Sequence, residues 1–140
     1  MTDDSKLRRS QDRITGRVAS GRGEGQRFTQ LDWAREQFRD RLGIDPSPGT
    51  LNLIVDEAES VEIWNRLKCT SGIRIDNPND GPSDCNARCY PVSVEGKVDA
   101  AIVLPEVPGY AATKVEVIAS VGIRSALGVE DGDRLSLEIR

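Results

Sequence analysis

Hydrophobic and polar residues alternate along several short stretches of this chain, which is the pattern of β-strands with one buried face. In one stretch Val115 and Val117 lie on one face and Glu116 on the other, and the last stretch, 134–139, has the same period of two. Strands are therefore predicted over six segments: about 13–20, 50–55, 87–94, 98–104, 114–119 and 134–139.

Helical spacing interrupts this run of strands in a few places. Four apolar residues predict a helix that ends at Gly43, and Thr29–Asp32 before it resembles a capping box with Asp in place of Glu. Residues 59–67 predict a short helix or an irregular turn, and 123–128 a single helical turn with a glycine stop. The four apolar residues of the first helix are Leu31, Ala34, Phe38 and Leu42.

Six short strands, few helices and no alternation of strand and helix favour a mainly β fold. We expect a closed, antiparallel-rich six-stranded β-barrel with one or two short helices. At 140 residues the chain is long enough for one core, and we place a single domain at 13–140 after a flexible polar tail at 1–12. Pro91 suggests a strand edge or a bulge, and 76–84 is a long polar loop.

Charge and residue usage exclude several classes of function. The net charge of −4 argues against a basic face for nucleic acid. The absence of histidine excludes histidine-dependent hydrolase triads, histidine general bases and His-ligated zinc. There is no apolar run of the roughly 18 residues that cross a bilayer, and the first residues lack the apolar core of a secretory signal. We therefore expect a cytoplasmic protein without nucleic-acid or membrane partners.

The three cysteines favour free thiols over a metal site. Cys85 and Cys89 are four positions apart and Cys69 is distant, so the paired spacing of a zinc ribbon is missing. An odd number of cysteines in a reducing compartment is typical of unpaired thiols. A bridge between Cys69 and Cys85, or a metal site, is the alternative.

Two glycine-containing loops carry the candidate chemistry. The loop 21–25 has three glycines after the first strand, and such backbone can aim its N–H groups at phosphate. The second loop, 48–52, opens a strand and places Thr50 and Asn52 on the same side, where both oxygens can reach one hard cation such as Mg²⁺. Together they suggest a phosphate site beside a metal site. The alternative is that Thr50-Leu51-Asn52 only begins a strand after a Pro-Gly turn.

Several blocks resemble, in order, the archaeal-type CTP-dependent riboflavin kinases. They are Ser20-Gly21-x-Gly23-Glu24-Gly25-x2-Phe28, Gln37-Phe38-x3-Leu42-Gly43, Pro48-Gly49-Thr50-Leu51-Asn52-Leu53, Cys89-Tyr90-Pro91, Ala101 to Pro105, Val115-Glu116-Val117-Ile118-Ala119 and Arg124-x2-Leu127-Gly128-Val129-x2-Gly132-Asp133. The resemblance covers about residues 13–140. It implies a six-stranded cradle-loop barrel that transfers the γ-phosphoryl group of CTP to the 5′-hydroxyl of riboflavin and gives FMN.

The resemblance also implies roles for individual residues. Thr50 and Asn52 would hold Mg²⁺, and Glu116 would contact the ribityl chain of the flavin and act as the catalytic residue. Position 108 would contact the flavin phosphate. The nucleotide would be bound by two segments: Arg22, Gly23, Glu24, Gly25, Gln26 and Arg27, then Val121, Gly122, Ile123 and Arg124. Of these, Arg22, Arg27 and Arg124 would supply counter-charges to the phosphates. The expected partners are CTP and riboflavin, bound by a monomer.

Three positions depart from the family pattern. Pro108 stands where the family often has a threonine that touches the flavin phosphate, Ser120 replaces the proline of an Ala-Pro pair, and Gly122 replaces a frequent lysine. These departures leave open a kinase of another small alcohol, or a non-catalytic barrel that binds nucleotide or flavin. For Glu116 the alternative is a strand carboxylate on a solvated face.

Overall fold

The computed structural model describes residues 12–20, 29–78 and 86–140. The predicted strands and helices are present, with bounds that differ by one or two residues at most. In chain order the elements are β1 (Arg13–Ala19), α1 (Asp32–Leu42), β2 (Leu51–Ile54), α2 (Ala58–Lys68), β3 (Ile73–Ile75), β4 (Ala87–Val94), β5 (Val98–Pro105), β6 (Lys114–Ala119), α3 (Ile123–Leu127) and β7 (Arg134–Ile139).

Six strands close into an antiparallel barrel in the order β4-β5-β6-β2-β1-β7, and the β4–β7 pairing completes the circle. The predicted fold class is confirmed. The strand β3 is an addition that the sequence pattern did not predict, because three residues are too few to show a period. It pairs with the first half of β4, outside the closed ring.

Pro91 lies inside β4, and its position explains why the strand tolerates it. On one side β4 pairs with β5 along its whole length, including Pro91 opposite Ala101. On the other side β3 pairs with 87–89 and β7 with 92–94, so Pro91 falls in the gap between the two partners. Proline lacks the N–H that a ladder requires. The predicted strand edge is therefore present locally: on this side Pro91 lies where one partner strand ends and the next begins.

The barrel interior holds the larger of two hydrophobic clusters. It is built from the inward residues of the strands, and Trp64 of α2 joins it as a fully buried ring packed edge-on against Tyr90 at a centroid distance of 6.0 Å. Space is tight at Gly16 of β1, where an added Cβ would lie 3.0 Å from the Ile54 carbonyl oxygen and its neighbours would have to shift. The second cluster lies on the outer face, where Phe38 of α1 packs on residues of β3 to β6.

The ends of α1 bear out one expectation and correct another. Gly43 adopts the left-handed conformation, with φ 69°. Its N–H bonds to the Arg39 carbonyl and the Ile44 N–H to the Phe38 carbonyl, as a C-terminal glycine stop requires. The N-cap, however, is Leu31, and no side chain caps the helix. The predicted capping box is therefore wrong. The Thr29 hydroxyl instead accepts a hydrogen bond from the Gly49 N–H at 3.2 Å, which fastens the start of α1 to the Pro-Gly turn before β2.

Some predictions fall outside the described residues. These are the tail up to residue 11, the glycine loop within 21–28, Cys85 and most of the polar loop. In the part that is described, Cys69 and Cys89 are free thiols, the first exposed and the second buried. None of the described helices has the length and apolar character to cross a bilayer.

Candidate active site

Asn52 and Glu116 face each other across two neighbouring strands of the barrel. They are direct partners in the β2–β6 register. Their neighbours Leu51, Leu53, Val115 and Val117 belong to the interior cluster. Because side chains alternate across a strand, Asn52 and Glu116 both lie on the outer face. Both are nonetheless buried, at 9% and 8% exposure. The predicted position of Glu116 opposite the apolar face is correct, and its burial rules out a solvated strand face.

The carboxylate of Glu116 is held by two hydroxyl groups, one on each oxygen. Thr50 Oγ1 donates to Oε1 at 3.1 Å, and the hydroxyl of Tyr110 donates to Oε2 at 2.5 Å. A carboxylate that is buried without partners would be costly, and two donors offset this cost. A carboxylate has about four acceptor positions, so each oxygen retains a free lone pair. Glu116 is therefore fixed in place and still able to accept a hydrogen bond from a ligand.

Asn52 presents an unusual buried acceptor. Its Nδ2 donates to the Thr50 carbonyl at 3.4 Å, while Oδ1 is buried and has no hydrogen-bond partner among the described residues. An orphaned buried acceptor is rare in folded proteins and commonly indicates a missing water, ion or ligand. The orphaned oxygen lies on the face that also carries Glu116.

The residues around this oxygen fit a hard cation that arrives with its own ligands. Asn and Thr side chains offer neutral oxygen ligands of the kind that coordinate Mg²⁺ and Ca²⁺. In the described ranges no three His, Cys, Asp or Glu residues cluster as a metal cage, and Glu116 is the only carboxylate whose contacts join this group. Neutral ligands bind free Mg²⁺ weakly. The site therefore suits a metal already bound to phosphate oxygens, which agrees with Asn52 Oδ1 being left unsatisfied.

A cavity of about 140 Å³ opens beside Thr50. The Pro-Gly turn before β2 forms one wall, and the segment after β6 forms the other. The predicted nucleotide residues Val121, Gly122, Ile123 and Arg124 all line it. The structure thus brings the second predicted nucleotide segment next to the predicted metal ligand Thr50, although they are about 70 residues apart in sequence.

The two walls of this cavity are tied together by the connector 45–47. Ser47 N–H bonds to the Ala119 carbonyl at 2.9 Å, and Asp45 N–H bonds to the Ser120 hydroxyl at 3.2 Å. Ser120, one of the three departures, therefore has a structural partner. At Gly122, a second departure, an added Cβ would meet nothing closer than 3.9 Å, so there is open space for a ligand there.

Arg124, which is predicted to meet a phosphate, forms an ion pair with Asp131. The hydroxyl of Ser20 also donates to Asp131, at 2.7 Å, and these two contacts hold the pKa of the Asp131 carboxyl below its usual value, the serine bond having the larger effect. The turn that carries Asp131 docks on β1 through Gly132 N–H and the Val18 carbonyl, 2.7 Å apart.

The sequence pattern did not identify Tyr110 as a site residue. It ends a turn in which Pro108 and Gly109 occupy the central positions; Gly109 has φ 79°, as a type II turn requires. The turn carries the tyrosine back so that its hydroxyl reaches Glu116. Pro108 and Tyr110 line a second cavity of about 450 Å³, whose other lining includes Lys68 and Arg88. Pro108, predicted to contact the flavin, therefore lines a cavity that extends to the partner of Glu116.

The first predicted nucleotide segment, 22–27, lies outside the described residues. The two ends that flank it are described. Ser20 reaches Asp131, and Thr29 bonds to Gly49, so both ends lie near walls of the first cavity.

Comparison with known proteins places the chain in a family. The family model CTP-dep_RFKase, described as a domain of unknown function (DUF120), matches residues 18–139. The riboflavin kinase of Methanosarcina acetivorans is 41% identical over 128 residues, which are 91% of this chain and 53% of the relative. That of Archaeoglobus fulgidus is 37% identical over 128 residues, 91% of this chain and 54% of the relative.

The riboflavin kinase of Saccharolobus solfataricus is 30% identical over 129 residues, which cover 90% of this chain and 73% of that relative. The chain spans about half the length of the Methanosarcina and Archaeoglobus relatives and nearly three quarters of this shorter one. The match runs through the strands and turns that carry Thr50, Asn52, Tyr110 and Glu116. The chain therefore belongs to the CTP-dependent riboflavin kinase family.

Proposed function

We propose that this protein is a CTP-dependent riboflavin kinase, which transfers the γ-phosphoryl group of CTP to the 5′-hydroxyl of riboflavin and releases FMN and CDP. Family membership over residues 18–139 and the names of the relatives support this proposal. The observation that carries it is the pairing of Asn52, with its orphaned oxygen, and the doubly hydrogen-bonded Glu116 on one buried face.

Glu116 has the position and surroundings of a general base. It is buried and held by two hydroxyl donors, and its carboxylate retains free lone pairs. In the proposed reaction Glu116 accepts the proton of the acceptor hydroxyl. The hydroxyl oxygen forms a bond to the γ-phosphorus, and the bond from that phosphorus to the bridging oxygen breaks, which leaves CDP. Phosphoryl transfer depends mainly on positioning and charge neutralisation. The fixed carboxylate of Glu116 would position the acceptor hydroxyl, and cations at the phosphate site would neutralise the charge.

Thr50 and Asn52 are the residues that would hold a Mg²⁺ ion brought in with the nucleotide, and that ion would neutralise charge on the phosphates. The nucleotide would occupy the first cavity, with its phosphates toward Thr50. Arg124 lines this cavity and could exchange its ion pair with Asp131 for one with a phosphate, since both side chains are about half exposed.

The second cavity offers a route for the acceptor. Its lining includes Tyr110, whose hydroxyl touches Glu116, so an acceptor in this cavity can extend its hydroxyl toward the carboxylate. Pro108 on the same wall has no N–H and no hydroxyl, so this chain provides no donor from that side chain for a phosphate. Recognition of the acceptor would then rest on the other lining residues.

Incubation of the purified protein with riboflavin, Mg²⁺ and each nucleoside triphosphate in turn, with FMN measured by chromatography, tests the proposal. FMN formation with CTP well above that with ATP is the expected result. Equal or better turnover with ATP would remove the cytidine preference and keep the kinase. No FMN with any nucleotide, although nucleotide and flavin both bind, would favour a non-catalytic barrel.

A further inference from the structure

The hydroxyl of Tyr110 makes the shortest hydrogen bond to Glu116 that the described residues provide. It donates to Oε2 at 2.5 Å. Burial raises the pKa of this phenol, and the hydrogen bond and charge of Glu116 raise it further. The phenol therefore keeps its proton at neutral pH and acts as a donor toward the carboxylate.

The two donors on Glu116 come from different parts of the chain. Thr50 precedes β2, whereas Tyr110 arrives through the Pro-Gly turn between β5 and β6. Each donor binds a different oxygen. With Thr50 alone, the carboxylate could rotate about the bond to its carbon chain; with both, its plane is fixed relative to β6. Tyr110, which fixes this plane, also lines the second cavity.

The ring of Tyr110 is anchored independently of its hydroxyl. It packs against the interior cluster, and the Lys114 ammonium lies 5.6 Å from the ring centroid, within the range of a cation–π contact. Phenylalanine retains both of these contacts. A Tyr110→Phe variant therefore removes the hydrogen bond to Glu116 and leaves the packing in place.

We propose that Tyr110 is a positioning residue that holds the carboxylate of Glu116 in the orientation needed to accept the proton of the acceptor hydroxyl. Its part in catalysis rests on the proposed kinase function; the orientation of Glu116 does not. Tyr110 acts through Glu116, so the effects of removing both groups on turnover should not add.

The test is a double-mutant cycle on kcat. Tyr110→Phe should lower kcat about 10-fold and leave the nucleotide KM within about twofold, the size of effect expected when a reacting group is loosened. In a Glu116→Gln background, Tyr110→Phe should cause no further loss. Additive losses in kcat would overturn the proposal, because they would mean that the tyrosine acts without Glu116. An unchanged kcat in the single variant would overturn it equally.

Tyr90→Phe is the matched control. The Tyr90 hydroxyl also makes one hydrogen bond, to the Thr70 carbonyl at 3.0 Å, and the ring is likewise packed in the interior cluster. Its removal should lower Tm and leave kcat unchanged. A comparable fall of kcat in Tyr90→Phe would show a general packing effect and overturn the specific role of Tyr110.

A thermal-unfolding cycle separates this proposal from the kinase function. Tyr110→Phe should lower Tm by about 2–5 °C, and this shift should disappear in a Glu116→Ala background, where the acceptor is absent. If no FMN forms in the parent, the kinase proposal fails and this cycle alone decides whether Tyr110 holds Glu116. An equal Tm shift in both backgrounds would overturn the proposal.

Discussion

Asn52→Leu should separate stability from activity, because the amide oxygen that it removes has no hydrogen-bond partner among residues 12–20, 29–78 and 86–140. Leucine has the same branch at Cγ and a good strand propensity. A buried acceptor without a partner costs about 1–3 kcal/mol, and the weak Nδ2 bond to Thr50 at 3.4 Å returns about 0.5–1 kcal/mol. The substitution should therefore stabilise the ligand-free protein by about 0–2 kcal/mol.

This free energy converts to a shift of the melting temperature. For 140 residues the entropy of unfolding is about 0.3 kcal/mol/K, so the gain is about 0–7 °C in Tm. A structural asparagine would give the opposite sign on removal. Turnover should nevertheless fall by orders of magnitude, since an oxygen ligand for the nucleotide-bound metal is lost.

Thermal unfolding with and without nucleotide provides the assay. At about 100 times the dissociation constant, CDP with Mg²⁺ should stabilise the parent by about 2.7 kcal/mol, or about 9 °C. In Asn52→Leu the part of this shift that requires Mg²⁺ should disappear. Asn52→Asp is the matched control: it keeps an oxygen ligand and should retain the Mg²⁺-dependent shift. It should lower the Tm of the ligand-free protein, because it places a second carboxylate opposite Glu116. A lowered Tm in Asn52→Leu with FMN formed at the parent rate would refute the reasoning.

Three further predictions concern stability and reactivity. Between pH 6 and pH 3, the Tm of Asp131→Asn should fall less than that of the parent. A serine and an arginine lower the pKa of the Asp131 carboxyl in the folded chain, so its contribution to stability is present above the unfolded pKa of about 3.8 and is lost as pH falls further. Equal falls of Tm in the two proteins would contradict this. Iodoacetamide at pH 8 should label Cys69, which is exposed, before Cys89, whose pKa burial raises to about 12, and peptide mapping would show any reversed order. Gly16→Ala should lower Tm by about 3–10 °C, because the added methyl group overpacks the contact with β2. Gly122→Ala should change Tm little, because there is space for a Cβ at that position. Equal Tm shifts in the two variants would mean that the barrel adjusts to the methyl group at Gly16.

The strands of the barrel could be predicted from sequence because one face of each is buried. Where the period of two runs over six or more residues, as in 114–119 and 134–139, the predicted and observed bounds agree to the residue. The three-residue strand β3 carries too little pattern. The prediction of a capping box at α1 failed for another reason. The Thr29 hydroxyl bonds to the Gly49 N–H, which is distant in sequence and close only in the fold.

In the candidate site, too, local features could be predicted and contacts between distant residues could not. The spacing of Thr50 and Asn52 and the alternation around Glu116 are local, so sequence could place them on their faces. The role of Tyr110 could not be predicted from sequence, because a tyrosine after Pro-Gly is typical of an exposed turn. Only the folded turn shows that its hydroxyl contacts Glu116 of β6.

Burial of polar groups on the outer face of β2 and β6 distinguishes a site from ordinary barrel surface. Two positions beyond Glu116 on the same face of β6, Ile118 packs into the apolar cluster under α1. At Asn52 and Glu116 the chain instead buries an amide and a carboxylate and supports the carboxylate with two hydroxyls, while the amide oxygen has no partner in the described part of the chain. Such an arrangement costs stability. Its retention in an otherwise well-packed barrel is understandable if a ligand completes it, and this is why the stability of Asn52→Leu and the coupling of Tyr110 to Glu116 test the site more directly than loss of activity alone.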